Sequence, residues 1–512
     1  MAYDTVTGYC WPQSVEPGQT VALHLSSAGA RPVRVEVARV GVRREVVLVE
    51  DGVTAGDHPT PLDAAQLGCD WPAAMDIHVH DSWRSGYYEV LLEIEVDGKR
   101  RREHAFFVVR PKAGAPTAPI LLALSTNTWH AYNDFGGRNL YTGGTSVALQ
   151  RPMARGYLWK PPGNGRRVTS VSRVPDPDST AHVGYLRLNH LSPYAGSAGW
   201  PDWELPFLQW AEREGYAIDV VTNVDLEDHP RLLDDHGGKG YRLFLSVGHD
   251  EYWSGPMRDT VEGFIHRGGN AAFFSGNTSF WQVRFEDRTP QGPAASMIGF
   301  KGFFKKDPAW DTDRVGETTT FWSEPALRRP ENRMTGVTFS RGGYHRIGKR
   351  VTNGLGGYTV HRPDHWIFDG TGIGYGDVLG ASAVTVGYEC DGCAMTMVDG
   401  LPEPTHEDGT PDTFVILGTA PAAHFTRTTS ARPPAPDEPA EIEFIAARLF
   451  GERSDDAVRR ISANHAVLGS WTSAAGGTVV TSGSTDWAHG LAGRDVQVEQ
   501  ITRNVLDRLS AT

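Results

Sequence analysis

The sequence predicts a multidomain chain: an N-terminal β-sandwich of roughly immunoglobulin type over residues 1–112, followed over 118–512 by an α/β domain interrupted by insertions at about 134–200 and 285–410. Three observations carry this. The first 112 residues hold short, often alternating apolar runs parted by turn signals, the pattern of an antiparallel sandwich. The later chain alternates apolar strands and helices at roughly 25–30 residues per unit, as parallel sheets with crossover helices do. Between them, Pro111-Lys-Ala-Gly-Ala-Pro-Thr-Ala-Pro119 has the composition of a domain boundary.

The sandwich strands are expected at 21–25, 33–40, 45–49, 87–96 and 103–109, with turns at Glu16-Pro-Gly-Gln19, Glu50-Asp-Gly52 and Val96-Asp-Gly98. The basic run Lys99-Arg-Arg-Arg102 falls inside the last hairpin and reads as a solvated turn. In the second domain, strands are expected at 118–125, 218–222, 241–248, 271–274, 413–417 and 477–482. Helices are expected at 204–214, 254–267, 441–450 and 495–509, and Gly268-Gly269 ends the second as helix termini prefer. The two insertions carry little periodicity, and loops of that length in compact proteins usually bind or cover ligands.

Several strands end in polar groups, and the carboxyl end of a strand in an α/β sheet is where ligands bind. The tops read Asn127-Thr-Trp-His-Ala-Tyr-Asn133, Asn223-Val-Asp225, Gly248-His-Asp-Glu-Tyr-Trp-Ser254, Ser275-Gly-Asn277 and Thr485-Asp-Trp-Ala-His489. In the central one, a carboxylate beside an imidazole can ligate a metal or move a proton. The competing reading has Asp250 and Glu251 as caps of the helix that starts near Ser254. Tyr132 reads equally as a buried core tyrosine, and His130 reads better as a satisfied structural histidine. Glu389 and Asp391 lie in a glycine-flanked turn that could be solvated. Arg284 and Arg151 could bind a substrate carboxylate or pair with acidic side chains.

Other chemistries find little support. Ala195-Gly-Ser-Ala-Gly199 is only a near miss to a nucleophile elbow, and no phosphate-binding glycine loop follows a strand. Cys390-Asp-Gly-Cys393 has the spacing of half a zinc or redox motif, but Cys10 and Cys69 lie in the other domain. A net charge of -13 disfavours nucleic acid as a partner. With no run of ~18 apolar residues and no basic-then-apolar leader, neither a membrane nor secretion is expected, and the cytoplasm follows by default. Oxygen-rich donors such as Tyr132 and Glu251 would suit a hard ion such as ferric iron.

Taken together, Asn127-Thr-Trp-His-Ala-Tyr-Asn133, Gly248-His-Asp-Glu-Tyr-Trp253, Ser275-Gly-Asn-Thr278 with Trp281-Gln-Val-Arg284, Gly387-Tyr-Glu-Cys-Asp-Gly392, and Gly483-Ser-Thr-Asp-Trp-Ala-His-Gly-Leu491 with Ile501-Thr-Arg-Asn504 resemble the large (β) subunit family of N,N-dimethylformamidase. The resemblance implies a core similar to class I glutamine amidotransferases, with the cysteine elbow replaced by the Gly-His-Asp-Glu turn. It also implies a metal-dependent amidohydrolase whose single non-haem iron is held by two tyrosines and a glutamate. By motif, Tyr132 and Glu251 match ligands, and His249, Asn277 and Glu389 match further active-site positions. The second tyrosine has no aligned counterpart; Tyr157, Tyr185 and Tyr194 lie in the right interval.

The expected function is hydrolysis of a carbon-nitrogen bond in a small-molecule amide. His249 or Glu389 would transfer the proton, Asn277 would donate to the oxyanion, and Asp250, Arg284 and Arg151 would contact substrate. The alternatives are a metal-free acid/base enzyme using His249 and Glu389, and a non-catalytic ligand-binding member of the family. Assembly as a homo-oligomer stays open, and an accessory small subunit is not legible in one chain.

Overall fold

Strand Arg31–Val40 shows how the first domain forms: Val33, Val35 and Val37 are buried while Arg34 and Glu36 face outward, the period-two pattern of a half-buried strand. The computed structural model describes residues 5–511 except 163–179, 236, 239, 288–294, 348–350, 353, 431–433 and 436. A three-stranded antiparallel sheet (Val6–Trp11, Thr20–Ser27, Ala73–His78) and a five-stranded sheet (Ser14–Val15, Lys99–Val109, Gly86–Val96, Arg31–Val40, Arg44–Ala55) share one core of mainly valines and leucines. Asp97 and Gly98, both at positive φ, turn the hairpin between Gly86–Val96 and Lys99–Val109. Residues 99–102 are exposed, and Arg102 meets Glu93 at 2.9 Å.

The N-terminal sheets pack against the rest of the chain. Tyr87 and Phe106 from the five-stranded sheet join the core of the second domain, and Tyr87 stacks on Trp200 at 4.1 Å between centroids. Arg39 pairs with Glu212 at 2.6 Å, and Gln13 Oε1 lies 2.9 Å from His130 Nε2.

The second domain is built on a nine-stranded sheet in the order Ile218–Thr222, Ile120–Leu124, Leu243–His249, Asn270–Gly276, Thr478–Thr481, Asn464–Thr472, Val415–Ala422, Tyr358–Val360, Val378–Leu379. The first five strands are parallel and buried along nearly their whole length, as expected when both faces are covered. The remaining pairings are antiparallel, so the sheet is mixed rather than the parallel sheet the sequence suggests. Connection length explains the change: Asn464–Thr472 reaches Thr478–Thr481 through a short turn, too short for a parallel crossover. Helix Gly255–His266 is capped by Ser254, whose hydroxyl accepts from Met257 N, with Pro256 in the first turn. Strand Tyr252–Ser254 separates that cap from Asp250 and Glu251, which therefore do not cap the helix. Among the described residues, no helix is long and apolar enough to cross a membrane.

Candidate active site

Strand Leu243–His249, the middle one of the five parallel strands, turns at its penultimate residue Gly248, where φ is +83° and an added Cβ would lie 2.4 Å from Trp203 Cβ. Only glycine satisfies both conditions. The turn presents His249 and Glu251 above the sheet. Parallel register puts His249 beside Gly276, so Asn277 follows immediately on the neighbouring strand. Glu389 arrives from the second insertion on strand Glu389–Gly392, anchored where Thr485 N donates to Glu389 O at 3.1 Å.

These residues converge. His249 Nε2 lies 2.6 Å from Glu389 Oε2 and 3.2 Å from Glu251 Oε2. Asn277 Nδ2 donates to Glu389 Oε2 at 3.0 Å and stands 3.4 Å from His249 Nε2. Because Nδ1 of His249 lies 2.6 Å from the Ser197 carbonyl, which can only accept, Nδ1 carries a proton. Burial, the largest single influence, would depress the imidazole, but Glu389, Tyr388 and Glu251 together outweigh it and hold His249 well above its ordinary value. Burial likewise opposes ionisation of Glu251, yet His249, Lys301 and Tyr141 keep its carboxyl below the usual range. His249, Glu251 and Glu389 offer ligand atoms within 4.8 Å of one another.

A second group of oxygens meets the other side of Glu251. Tyr132 ends helix Thr126–Tyr132, and Tyr141 lies in the turn that follows. Tyr141 Oη is 2.6 Å from Tyr132 Oη and 2.9 and 3.0 Å from the two Glu251 oxygens. Tyr252 Oη lies 2.8 Å from Tyr141 Oη, and Lys301 Nζ donates to Tyr252 at 3.0 Å while sitting 3.3 Å from the Tyr141 ring centroid, a cation–π contact. Burial, and then the Glu251 charge, push the Tyr132 and Tyr252 hydroxyls well above the phenol range, and the Tyr141 hydroxyl shifts the same way although its residue is 40% exposed. Burial pulls Lys301 down to about 8, against the attraction of Glu251 and Glu389.

The other residues singled out in the sequence have different surroundings. The hydroxyl beside Tyr132 and Glu251 belongs to Tyr141, not to the three tyrosines named as candidates. Tyr185 donates to Pro161 O at 2.5 Å, Tyr157 is buried near Asp134 and Arg151, and Tyr194 contributes a ring whose centroid is 6.4 Å from that of Tyr132. Asp250 accepts from Ser246 Oγ at 2.8 Å and Asn223 Nδ2 at 3.2 Å. Arg284 donates to Asp307 and to the Glu317 carbonyl. Arg151 donates to the carbonyls of Ala148, His130, Asn133 and Phe135, tying the loop after Tyr132 together. These three side chains, expected at the substrate, thus have structural partners. Burial pushes His130 down to about 3, and His489 Nε2 meets the Asp202 carbonyl at 3.1 Å. Cys390 and Cys393 are buried free thiols.

Sequence reasoning missed Tyr141 and Lys301. The available signal for Tyr141 was its closeness to the Asn127–Asn133 motif, with Asn139 bonding both Tyr132 O and Tyr141 N. Lys301, at φ +54°, has no sequence pattern around it.

The model of the family described as N,N-dimethylformamidase beta subunit-like, C-terminal, matches residues 34–502. The N,N-dimethylformamidase beta subunit of Alcaligenes sp is 25% identical over 366 residues, which cover 63% of this chain and 42% of that protein. The chain thus spans less than half the length of that relative. Among solved structures, a family 123 glycoside hydrolase from Clostridium perfringens aligns with 52% of this chain and 68% of its own at 9% identity, with a TM-score of 0.11, too low to indicate a shared fold.

Proposed function

The chain belongs to the N,N-dimethylformamidase beta subunit-like family, and on that premise we propose that it is a metal-dependent hydrolase of the carbon-nitrogen bond of a small amide. The observation that carries the metal is the meeting of Tyr132 Oη, Tyr141 Oη and the Glu251 carboxylate, with Tyr141 Oη within 3.0 Å of both Glu251 oxygens. Three hard oxygen donors, two of them phenolic, fit a single ferric ion that would take the place of the shared protons. Such an ion would supply Lewis-acid polarisation of an amide carbonyl.

The protein's own groups do the rest. Glu389 accepts the proton of an attacking water, and His249, charged and fixed through Ser197, stabilises that carboxylate and returns a proton to the departing amine. Asn277 spends Nδ2 on Glu389 and leaves a buried Oδ1 without a partner among the described residues, an acceptor for a substrate or water donor. Tyr194 and Tyr388 provide aromatic walls beside the reacting groups. Lys301 holds Tyr252 against Tyr141.

The amidotransferase-like core and the immunoglobulin-like sandwich remain part of this proposal, supported by the five parallel strands with the site at the top of the central one, and by the two sheets sharing one core. The relative's description as a beta subunit supports assembly with a further subunit. The metal-free reading keeps one specific support: the His249–Glu389 contact of 2.6 Å is complete without an ion.

The test is amine release from N,N-dimethylformamide and other small N-alkyl amides, before chelation, after it, and after ferric iron is restored. Release that stops with chelation and returns with iron is the expected result. Release that persists unchanged through chelation favours the metal-free enzyme, and no release from any amide by iron-loaded protein contradicts the hydrolase.

A further inference from the structure

A chain of buried hydrogen bonds runs beneath the three turns that carry the site. Asp250, between His249 and Glu251, accepts from Ser246 Oγ at 2.8 Å. Ser246 Oγ lies 3.0 Å from Ser275 Oγ, and Ser275 Oγ lies 2.8 Å from Thr278 Oγ1. Thr278 N then donates to Asp391 Oδ2 at 3.0 Å and Asn277 N to Asp391 Oδ1 at 2.9 Å. Asp391 follows Glu389 by two residues on the same short strand. Asp250, Ser246, Ser275, Thr278 and Asp391 are all buried.

We infer that Asp391 is a positioning residue that holds Asn277 against Glu389 and His249, and that the Ser246–Ser275–Thr278 hydroxyls tie this arrangement to the His249–Glu251 turn through Asp250. Placing Asn277 in the reaction rests on the proposed function; its being held by Asp391 does not.

The two carboxyl oxygens of Asp391 suit this turn, although burial pushes its pKa up to about 7. Asn277 stands at φ +52°, a left-handed conformation that asparagine adopts more readily than other non-glycine residues. Two successive N–H groups then point the same way and form a concavity for an anion. Each oxygen of Asp391 takes one of them. An asparagine there has a single acceptor, so one of the two N–H groups would face an NH2. The turn is closely packed against both neighbouring segments, because a Cβ on Gly276 would come within 2.4 Å of Thr485 N and 2.6 Å of Glu389 O. Strand Glu389–Gly392 therefore grips Asn277 twice: its backbone through Asp391 and its side chain through Glu389, whose Oε2 accepts from Nδ2 at 3.0 Å.

The experiment is a double-mutant cycle in the full chain with Asp391→Asn and Asn277→Ala, reading kcat and KM on an amide substrate, together with a crystal structure of Asp391→Asn. Asp391→Asn is expected to lower kcat by about 10- to 100-fold with KM within about 2-fold, and the double variant to be no slower than Asn277→Ala alone. Losses that multiply in the double variant, or an unchanged kcat in folded Asp391→Asn, overturn the inference. Ser275→Ala, which breaks the hydroxyl link while leaving the 277 and 278 amides in place, is expected to lower kcat by about 3- to 10-fold; should Asp391→Asn fail to fold, an unaltered Ser275→Ala overturns the inference. If the wild-type protein turns over no amide, the proposed reaction fails separately and the crystal structure decides: Asn277 Nδ2 beyond hydrogen-bonding distance of Glu389 supports the inference, and an unmoved Asn277 overturns it.

Discussion

His249 Nε2 stands 2.6 Å from Glu389 Oε2, although the first ends the middle one of the five parallel strands and the second comes from a distant insertion. Both side chains are nearly inaccessible, so the contact works in a low dielectric where proton position is strongly coupled to charge. Glu389→Gln and His249→Asn are each expected to lower amide turnover by about 100- to 10,000-fold while iron content stays at the wild-type level. Kinetics paired with elemental analysis checks this, and a variant that loses its iron in parallel with its activity would move that residue into the ligand set.

Lys301 gives the site an alkaline limit. With its pKa lowered by burial to about 8, its ammonium form, which donates to Tyr252, is present below that pH and lost above it. Turnover should fall as pH rises past about 8, and that limb should vanish in Lys301→Met, which is slower at every pH. A pH–rate profile of both proteins is the check; an identical alkaline limb in the variant assigns it to another group.

Glu204, buried beneath the site with Ser125 N donating to it at 3.3 Å, has its carboxyl pushed up by burial to about 8. A folded pKa above the unfolded one means that the native state holds the proton more tightly. The resulting stability is complete below about pH 4.5 and is lost as pH rises through about 8. Thermal melts should show Glu204→Gln gaining on the wild type across that window, by up to roughly 5 kcal/mol. A difference that does not vary with pH would show that Glu204 is not protonated in the fold.

Arg151 was expected at the substrate and instead donates to four backbone carbonyls. Removing a buried guanidinium leaves those acceptors unpaired. Arg151→Met should cost about 3 kcal/mol or more in stability and leave KM unchanged in whatever protein folds. A raised KM with intact stability would restore the substrate role.

What the sequence made legible follows from local rules. Polar residues at strand ends mark His249, Glu251 and Asn277, because strand termini can be read from apolar runs, and Glu389 is marked by its motif. Tyr141 was hidden because a turn among glycines carries no periodicity, and its neighbours Asn139 and Tyr132 become partners only once the loop closes. The two outermost strands of the antiparallel half were hidden for a related reason, since Tyr358–Val360 and Val378–Leu379 are too short to alternate visibly, while the nine-residue Asn464–Thr472 also went unread. Asp250 and Arg151 show the opposite failure, in which a chemically capable side chain is read correctly and its buried partners, hydroxyls and carbonyls from elsewhere in the chain, are invisible.

The central claim is that Tyr132, Tyr141 and Glu251 hold one iron, and the most direct measurement is elemental analysis with visible absorption on purified wild-type and Tyr141→Phe protein. The account predicts close to one iron per chain and a phenolate-to-iron charge-transfer band in the wild type, with both lost in Tyr141→Phe and both retained in Tyr185→Phe. A wild-type protein that hydrolyses amides while carrying no iron, or a Tyr141→Phe protein with its iron and its band intact, would contradict it.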